Sequence, residues 1–201
     1  MAEAPPGAVA GDDGRLRCPW GGPPGNPDYV AYHDEEWGRP VHGETALYER
    51  FTLEAFQSGL SWLTILRKRE GFRRAFAGFD ADAVAAYGEV DAERLLADPA
   101  IVRNRAKIAA AITNARAVVT LREAVEGGLD ALVWSFAPDG GTRPAPRVLG
   151  DVPARTPEST ALAKTLKRHG FVFVGPTTAY AAMQACGLVN DHLADCFARN
   201  A

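Results

Sequence analysis

The pattern of apolar and polar positions turns helical at Glu44. Leu47, Phe51 and Ala55 step by four and lay one apolar stripe along a helix of about four turns. Glu54, three residues after Phe51 and seven after Leu47, falls beside that stripe, so its carboxylate is expected on the inward side. Gly59 ends the helix, and Ser61 is placed to cap the next, in which Trp62, Ile65 and Leu66 face inward and Arg67-Lys68-Arg69 lies at the C-terminal end. Shorter helical patterns follow at 70–77 and 81–87. From Asp91 to Leu121 the chain reads as helix, tight turn, long helix: Asp98-Pro99 breaks the first piece, and Ile101, Ile108, Ile112, Ala115 and Val119 sustain one face of the second. A short helix around 129–136 carries Trp134. The stretch 137–157, with Gly140-Gly141, has the least order of the interior, and Leu162, Thr165 and Leu166 mark a helix ending near Gly170. Phe171-Val172-Phe173-Val174 alone has strand composition, and one such run makes no sheet. The fold class is all-α.

Residues 1–15, rich in Pro, Gly and Ala, read as a disordered leader, and 16–201 as a single domain without repeats or a domain-sized linker. The apolar share of 47% and charged share of 23% exclude a disordered chain. A net charge of −3 requires any nucleic-acid contact to come from a local basic face. Three cysteines argue against a disulfide scaffold and for a reducing compartment. The N-terminus lacks the basic start and apolar run of a signal peptide. Phe171–Asn190 carries no charge, yet Gly175-Pro176, Gln184 and Gly187 interrupt it, which favours a buried segment over a membrane span. The expectation is a soluble cytoplasmic protein.

His192 and Cys196 stand four apart in an expected terminal helix that Asn190 caps, which turns both to one side. An imidazole and a thiolate so placed suit a tetrahedral Zn2+, and Cys18 with His33 are the pair that completes four ligands. Such an ion ties a Pro/Gly-rich loop to the chain's end, and a closed shell makes it structural. The competing reading has Cys196 as a small buried thiol and His192 as a solvated residue. Cys186 reads as core.

Two further clusters bear chemistry. Glu54, buried within a turn and a bend of Trp62, has Tyr29, Tyr32 and Trp37 upstream; a buried carboxylate is costly, which marks either a working acid or an ion pair inside an aromatic core. Arg103, Asn104, Arg105 and Lys107 open the long helix, where free amides and side-chain charge suit a DNA phosphate; a solvated helix face is the alternative. A Gly-rich phosphate loop, a dinucleotide fingerprint, His-Glu-x-x-His and Gly-x-Ser-x-Gly are all lacking, which removes the nucleotide-driven, zinc-protease and serine-hydrolase classes.

Taken in order, Arg17-Cys18-Pro19-Trp20, Tyr32-His33-Asp34-Glu35-Glu36-Trp37-Gly38, Leu53-Glu54 through Gly59-Leu60-Ser61-Trp62, Ile101 through Ile108, Val133-Trp134-Ser135-Phe136, Phe173-Val174-Gly175 and Met183 through His192 resemble the 3-methyladenine DNA glycosylase I family of the helix-hairpin-helix glycosylase superfamily. The likeness spans roughly residues 17 to 196. It implies a helix-hairpin-helix fold with its hairpin at about 91–121. A zinc knot would join the terminal segments 16–43 and 186–201, its one structural Zn2+ held by Cys18, His33, His192 and Cys196. It implies a monofunctional base-excision enzyme that flips 3-methyladenine out of alkylated double-stranded DNA and hydrolyses its glycosidic bond with water. Glu54 takes the family's base-recognition role, Trp62, Tyr32, Tyr29 and Trp20 surround the base, and Arg103, Asn104, Arg105 and Lys107 meet the DNA. Such an enzyme works as a monomer on the nucleoid without a protein partner. The chain departs from the family at Ala55 and Ala100, where members often carry Gly. The rival class is a zinc-bearing DNA-binding module without excision, which has no need of a buried acid among rings.

Overall fold

A computed structural model describes residues 7–21, 26–139 and 144–200. Its helices, in chain order, are α1 (Pro27–Glu35), α2 (Glu44–Gln57), α3 (Trp62–Ala75), α4 (Ala81–Ala85), α5 (Glu89–Ala97), α6 (Arg105–Ala124), α7 (Gly128–Trp134), α8 (Pro157–Arg168) and α9 (Pro176–Ala185). The all-α expectation holds, with one small addition. Val9–Ala10 and Leu16–Arg17 pair antiparallel in a two-stranded hairpin. Within the expected leader, residues 7–15 carry the first strand of that hairpin, and Arg17 links them to α1. The Arg17 guanidinium donates from Nη2 to Asp13 and Asp34, at 2.8 Å each. Residues 1–6, the Gly22–Gly25 stretch and Gly140-Gly141 lie outside the described residues.

Helix α2 runs through the middle and packs on α3, α6, α7 and α9. Leu47, Leu53 and Phe56 on it are fully buried, and the Tyr48 hydroxyl donates to the Ala111 carbonyl at 2.9 Å, locking α2 to α6. Phe56, Phe72, Phe76 and Phe79 form an aromatic chain between α2 and the end of α3, with Phe56 and Phe72 centroids 4.7 Å apart. Ser61 caps α3 by accepting from the Thr64 N–H at 3.3 Å, as its type and place predict. The separate helix expected at 70–77 is instead the continuation of α3, since no proline stands between Trp62 and Ala75 and the single Gly71 does not break the helix.

The α5–turn–α6 hairpin forms as expected. Asp98 accepts from the Ala100 N–H at 2.8 Å and tightens the turn, whose Ile101 is buried. Gly71 of α3 lets the turn approach: a Cβ there would lie 2.4 Å from the Ala100 carbonyl oxygen. Lys68 adds a bond from Nζ to the Pro99 carbonyl at 2.6 Å. The run 171–174 joins α8 to α9 without strand pairing, and its Phe173 takes a positive φ of 54°. Among the described residues no helix is long and apolar enough to cross a membrane.

The expected terminal helix carrying His192 and Cys196 does not form. Asp191 to Cys196 is a series of turns, followed by a short 3-10 segment at Phe197–Asn200. Asn190 acts there as a turn residue, accepting from the His192 N–H at 3.3 Å, while its amide donates to the Arg199 carbonyl at 2.9 Å.

Candidate functional site

A cavity of about 440 Å3 opens where α1, α2, α3 and α9 meet. Glu54, 6% exposed, comes from the last turn of α2, as its phase with Leu47 and Phe51 requires. Trp62 stands at the first turn of α3, and its ring centroid lies 5.3 Å from that of Tyr32 on α1. Trp20, brought in by the loop before α1, sits 6.3 Å from Tyr29 and 6.4 Å from Tyr32 between centroids. All five residues expected around a ligand (Trp20, Tyr29, Tyr32, Glu54 and Trp62) line this one cavity. The Tyr29 hydroxyl accepts from the Leu63 N–H at 3.1 Å, which fixes α1 against the start of α3.

No hydrogen-bond donor among the described residues reaches the Glu54 carboxylate. Burial pushes its pKa up to about 8, and the Arg50 charge pulls in the opposite direction. Burial, with the nearby Glu54 charge, likewise raises the Tyr32 phenol far above its usual range, which keeps it a neutral ring. A carboxyl with few polar partners, set in an apolar hollow of rings, has high affinity for a cation or a hydrogen-bond donor placed beside it.

Sequence reasoning passed over two glutamines that line the same wall, Gln57 at the end of α2 and Gln184 in α9. Gln184 had a readable signal: it is the lone amide on a helix without charged residues, next to Met183 and Ala185 in the buried half, where an amide needs a partner.

Residues from the two terminal segments of the chain build the second feature. Cys18, His33, His192 and Cys196 are all buried, and their donor atoms lie within 4.8 Å of one another. Cys196 Sγ is 3.4 Å from His33 Nε2 and 3.6 Å from His192 Nδ1, and Cys18 Sγ is 3.7 Å from His192 Nδ1. These spacings match the edges of a tetrahedron with bonds of about 2.0–2.3 Å, so a metal ion fits the group. The outer nitrogens are held too. His33 Nδ1 pairs with Asp34 Oδ1 at 2.8 Å, and His192 Nε2 with the Trp37 carbonyl at 3.0 Å, which turns the inner nitrogens to the centre. Hydrogen bonding from Cys18, then from His192 and His33, pulls the Cys196 thiol down toward thiolate. Gly21 makes room for this packing: a Cβ there would lie 2.5 Å from the His33 ring. Only Leu193 and Ala198 join the two cysteines as buried apolar residues of this end cluster, too small a core to hold it alone.

The hairpin residues divide. Arg103, Asn104 and Arg105 are exposed. Asn104 caps α6 by accepting from the Lys107 N–H at 3.1 Å, and Arg105 pairs with Glu89 and Glu93. Lys107, expected at a DNA phosphate, is instead 9% exposed and donates from Nζ to the Phe56 carbonyl at 2.8 Å and the Ser58 carbonyl at 2.6 Å. Its place at the third position of α6 turns it inward, where it satisfies the last carbonyls of α2.

A family model described as methyladenine glycosylase matches residues 20–199. DNA-3-methyladenine glycosylase 1 of Escherichia coli (strain K12) is 47% identical over 180 residues, 90% of this chain and 95% of that protein. Among solved structures, a crystal structure of 3-methyladenine DNA glycosylase I superposes with a TM-score of 0.84 at 48% identity, covering 90% of this chain and 98% of that one. The 3-methyladenine DNA glycosylase I of Staphylococcus aureus, solved for its recognition of 3-methyladenine, gives 0.80 at 34% identity over 87% of this chain and 92% of that one. The match runs over nearly the full length of these relatives and takes in the segments that build both the cavity and the four-donor cluster, and this chain belongs to the methyladenine glycosylase family.

Proposed function

We propose that this protein excises 3-methyladenine from alkylated double-stranded DNA by hydrolysis of the N-glycosidic bond. The observation that carries the reading is the Glu54 carboxyl, buried in a hollow of aromatic rings and hydrogen-bonded to none of the described residues. A purine methylated at N3 is cationic in the nucleotide, and healthy adenine is not. Rings such as Trp62 and Tyr32 attract the cation by roughly 0.5–2 kcal/mol. The Glu54 carboxylate adds a charge-assisted hydrogen bond from the exocyclic amine. The nucleotide reaches the cavity by flipping, at a cost of a few kcal/mol that a damaged base lowers.

Chemistry then needs little from the protein. The C1′–N9 bond breaks with its electron pair going to the base, which leaves neutral. Water bonds to C1′ through oxygen and releases its proton to solvent. Glu54 favours the cationic base in the cavity and holds its orientation. Among the described residues no lysine lines the cavity to form a Schiff base, which supports hydrolysis without strand cleavage.

Arg103, Asn104 and Arg105 on the hairpin are the exposed groups that meet the DNA backbone, and the protein acts as a monomer in the cytoplasm. Cys18, His33, His192 and Cys196 hold one Zn2+. With four protein ligands it supplies no open coordination position, so its role is to join the terminal segments around 16–43 and 186–201 into the domain. The test is base release from methylated DNA by Glu54→Gln. A loss of at least about a hundredfold, with zinc content and helicity unchanged, is expected. Release at the wild-type rate would sink the assignment.

A further inference from the structure

Gln184 lines the cavity from α9, and its amide is not free to turn. Its Nε2 donates to Asp191 Oδ2 at 2.9 Å. Asp191 is buried, and the same Oδ2 accepts the hydroxyl of the buried Tyr180. A carboxylate oxygen that already accepts from a phenol offers no donor, so the opposite rotation of the Gln184 amide would set oxygen against oxygen. The amide nitrogen is therefore committed to Asp191. The Gln184 carbonyl oxygen accepts no hydrogen bond from any described residue, and it is left to the cavity. Gln57, on the same wall, behaves alike: its Nε2 donates to the Leu60 carbonyl at 3.3 Å.

We propose that Gln184 is a specificity-determining residue. Clamped by Asp191 and Tyr180, it turns its carbonyl oxygen to the cavity, and so favours a methylated purine with an amine at C6 over one with a carbonyl there. The inference rests on the activity proposed above and adds the choice between its two methylated purines. 3-Methyladenine presents an N–H donor at C6, which suits a wall of acceptors. 3-Methylguanine carries the same N3-methyl group and the same positive charge, so rings and charge alone do not separate the two. Its O6 is an acceptor. Placed against the oxygens of Gln184 and Glu54, that O6 loses its water without gaining a donor, and this kind of mismatch discriminates more strongly than shape. The clamp also lies one residue before His192, so folding of the ligand knot and setting of the amide are linked through the chain.

The experiment measures release of 3-methyladenine from dimethyl-sulfate-treated poly(dA·dT), and of 3-methylguanine from poly(dG·dC) treated alike. The wild type is compared with Gln184→Met, which keeps the side-chain length and removes both polar ends. The expected result is a fall of about tenfold or more in the ratio of kcat/KM for 3-methyladenine over 3-methylguanine. A merely structural role would lower both rates together and leave the ratio unchanged, and that outcome overturns the inference. Tyr180→Phe, which loosens the clamp without touching the cavity, is expected to shift the ratio in the same direction by a smaller factor, and it serves if Gln184→Met does not fold. Should wild-type protein release neither base, the activity itself is misassigned and this inference falls with it. Wild-type release of 3-methyladenine together with an unmoved ratio sinks only the role of Gln184.

Discussion

Arg50 precedes Glu54 by one turn of α2, and its charge is what opposes the burial-driven rise of the Glu54 carboxyl. Glu36 positions that guanidinium, accepting from Arg50 Nη2 at 3.0 Å, while Arg69 holds the same carboxylate from α3 at 2.8 Å. The other Arg50 terminal nitrogen, Nη1, is buried and has no hydrogen-bond partner among the described residues. A cation so incompletely hydrogen-bonded in the interior keeps a strong field, and besides Glu36 the titratable groups Glu54, Tyr32 and Cys186 feel it.

The pH dependence of excision follows from this pair. The Glu54 carboxyl, pushed up to about 8, is mostly neutral below that pH in the free enzyme. If the carboxylate is the form that receives the cationic base, kcat/KM for 3-methyladenine release rises with pH toward about 8 and then levels. The bound cation favours ionisation, so the corresponding limb in kcat lies lower. Arg50→Met removes the opposing charge and is expected to move the kcat/KM limb upward by about one pH unit, and Arg50→Lys to restore it. A limb that stays put in a folded Arg50→Met protein would show that Arg50 does not act on Glu54.

Stability carries the same signature. Glu54 binds its proton more tightly folded than unfolded, where the ordinary value is 4.5. Its contribution to stability is thus full below about 4.5 and is lost as pH rises through about 8. Glu54→Gln cannot ionise and escapes that loss. The difference in Tm, variant minus wild type, is expected to grow in favour of the variant across that window, followed by thermal denaturation at a series of pH values. A constant difference would mean that solvent in the cavity already relieves the burial of the carboxyl.

How far the sequence disclosed all this depends on whether local or distant contacts decide a residue's place. The cap at Ser61, the break at Asp98-Pro99 and the inward phase of Glu54 are set by neighbours within a turn or two, and each stands as read. The burial of Lys107 was not legible, because a charged residue at a helix start looks solvated until the end of another helix, some 50 residues earlier, brings it carbonyls. His192 and Cys196 converge as expected but from turns instead of a helix, since their geometry is set by Cys18 and His33 across the fold. Gln184 escaped notice for the same reason: its meaning lies in Asp191 and in a cavity assembled from four helices.

Removal of the metal tests the terminal knot. Four buried donors with so little apolar core around them are expected to hold the chain ends together only when an ion joins them. Cys196→Ser, or incubation with a strong chelator, should cost about 3 kcal/mol, which for a domain of this size lowers Tm by roughly 6–12 °C. Base release by the fraction still folded should change little, because no ligand lines the cavity. Metal analysis of well-folded protein that finds no zinc would refute this account.

Arg103 and Lys107 separate DNA contact from structure on one hairpin. Lys107→Met leaves the Phe56 and Ser58 carbonyls without their donor, and the loss of two charge-assisted bonds is expected to cost about 1–3 kcal/mol of stability. Its amine is buried and committed to those two carbonyls, out of reach of a phosphate, so it contributes little to counterion release. The salt dependence of DNA binding should therefore stay as in wild type. Arg103→Ala is expected to do the reverse. Its exposed side chain makes no ion pair among the described residues, so Tm should hold within about 0.5 kcal/mol of wild-type stability. DNA affinity should fall, and the slope of log K against log salt should shrink by about one. Titrations of a methylated duplex at several salt concentrations, set beside thermal melts, give both readouts. If Lys107→Met flattened the salt slope while leaving Tm alone, its amine would belong to the DNA after all.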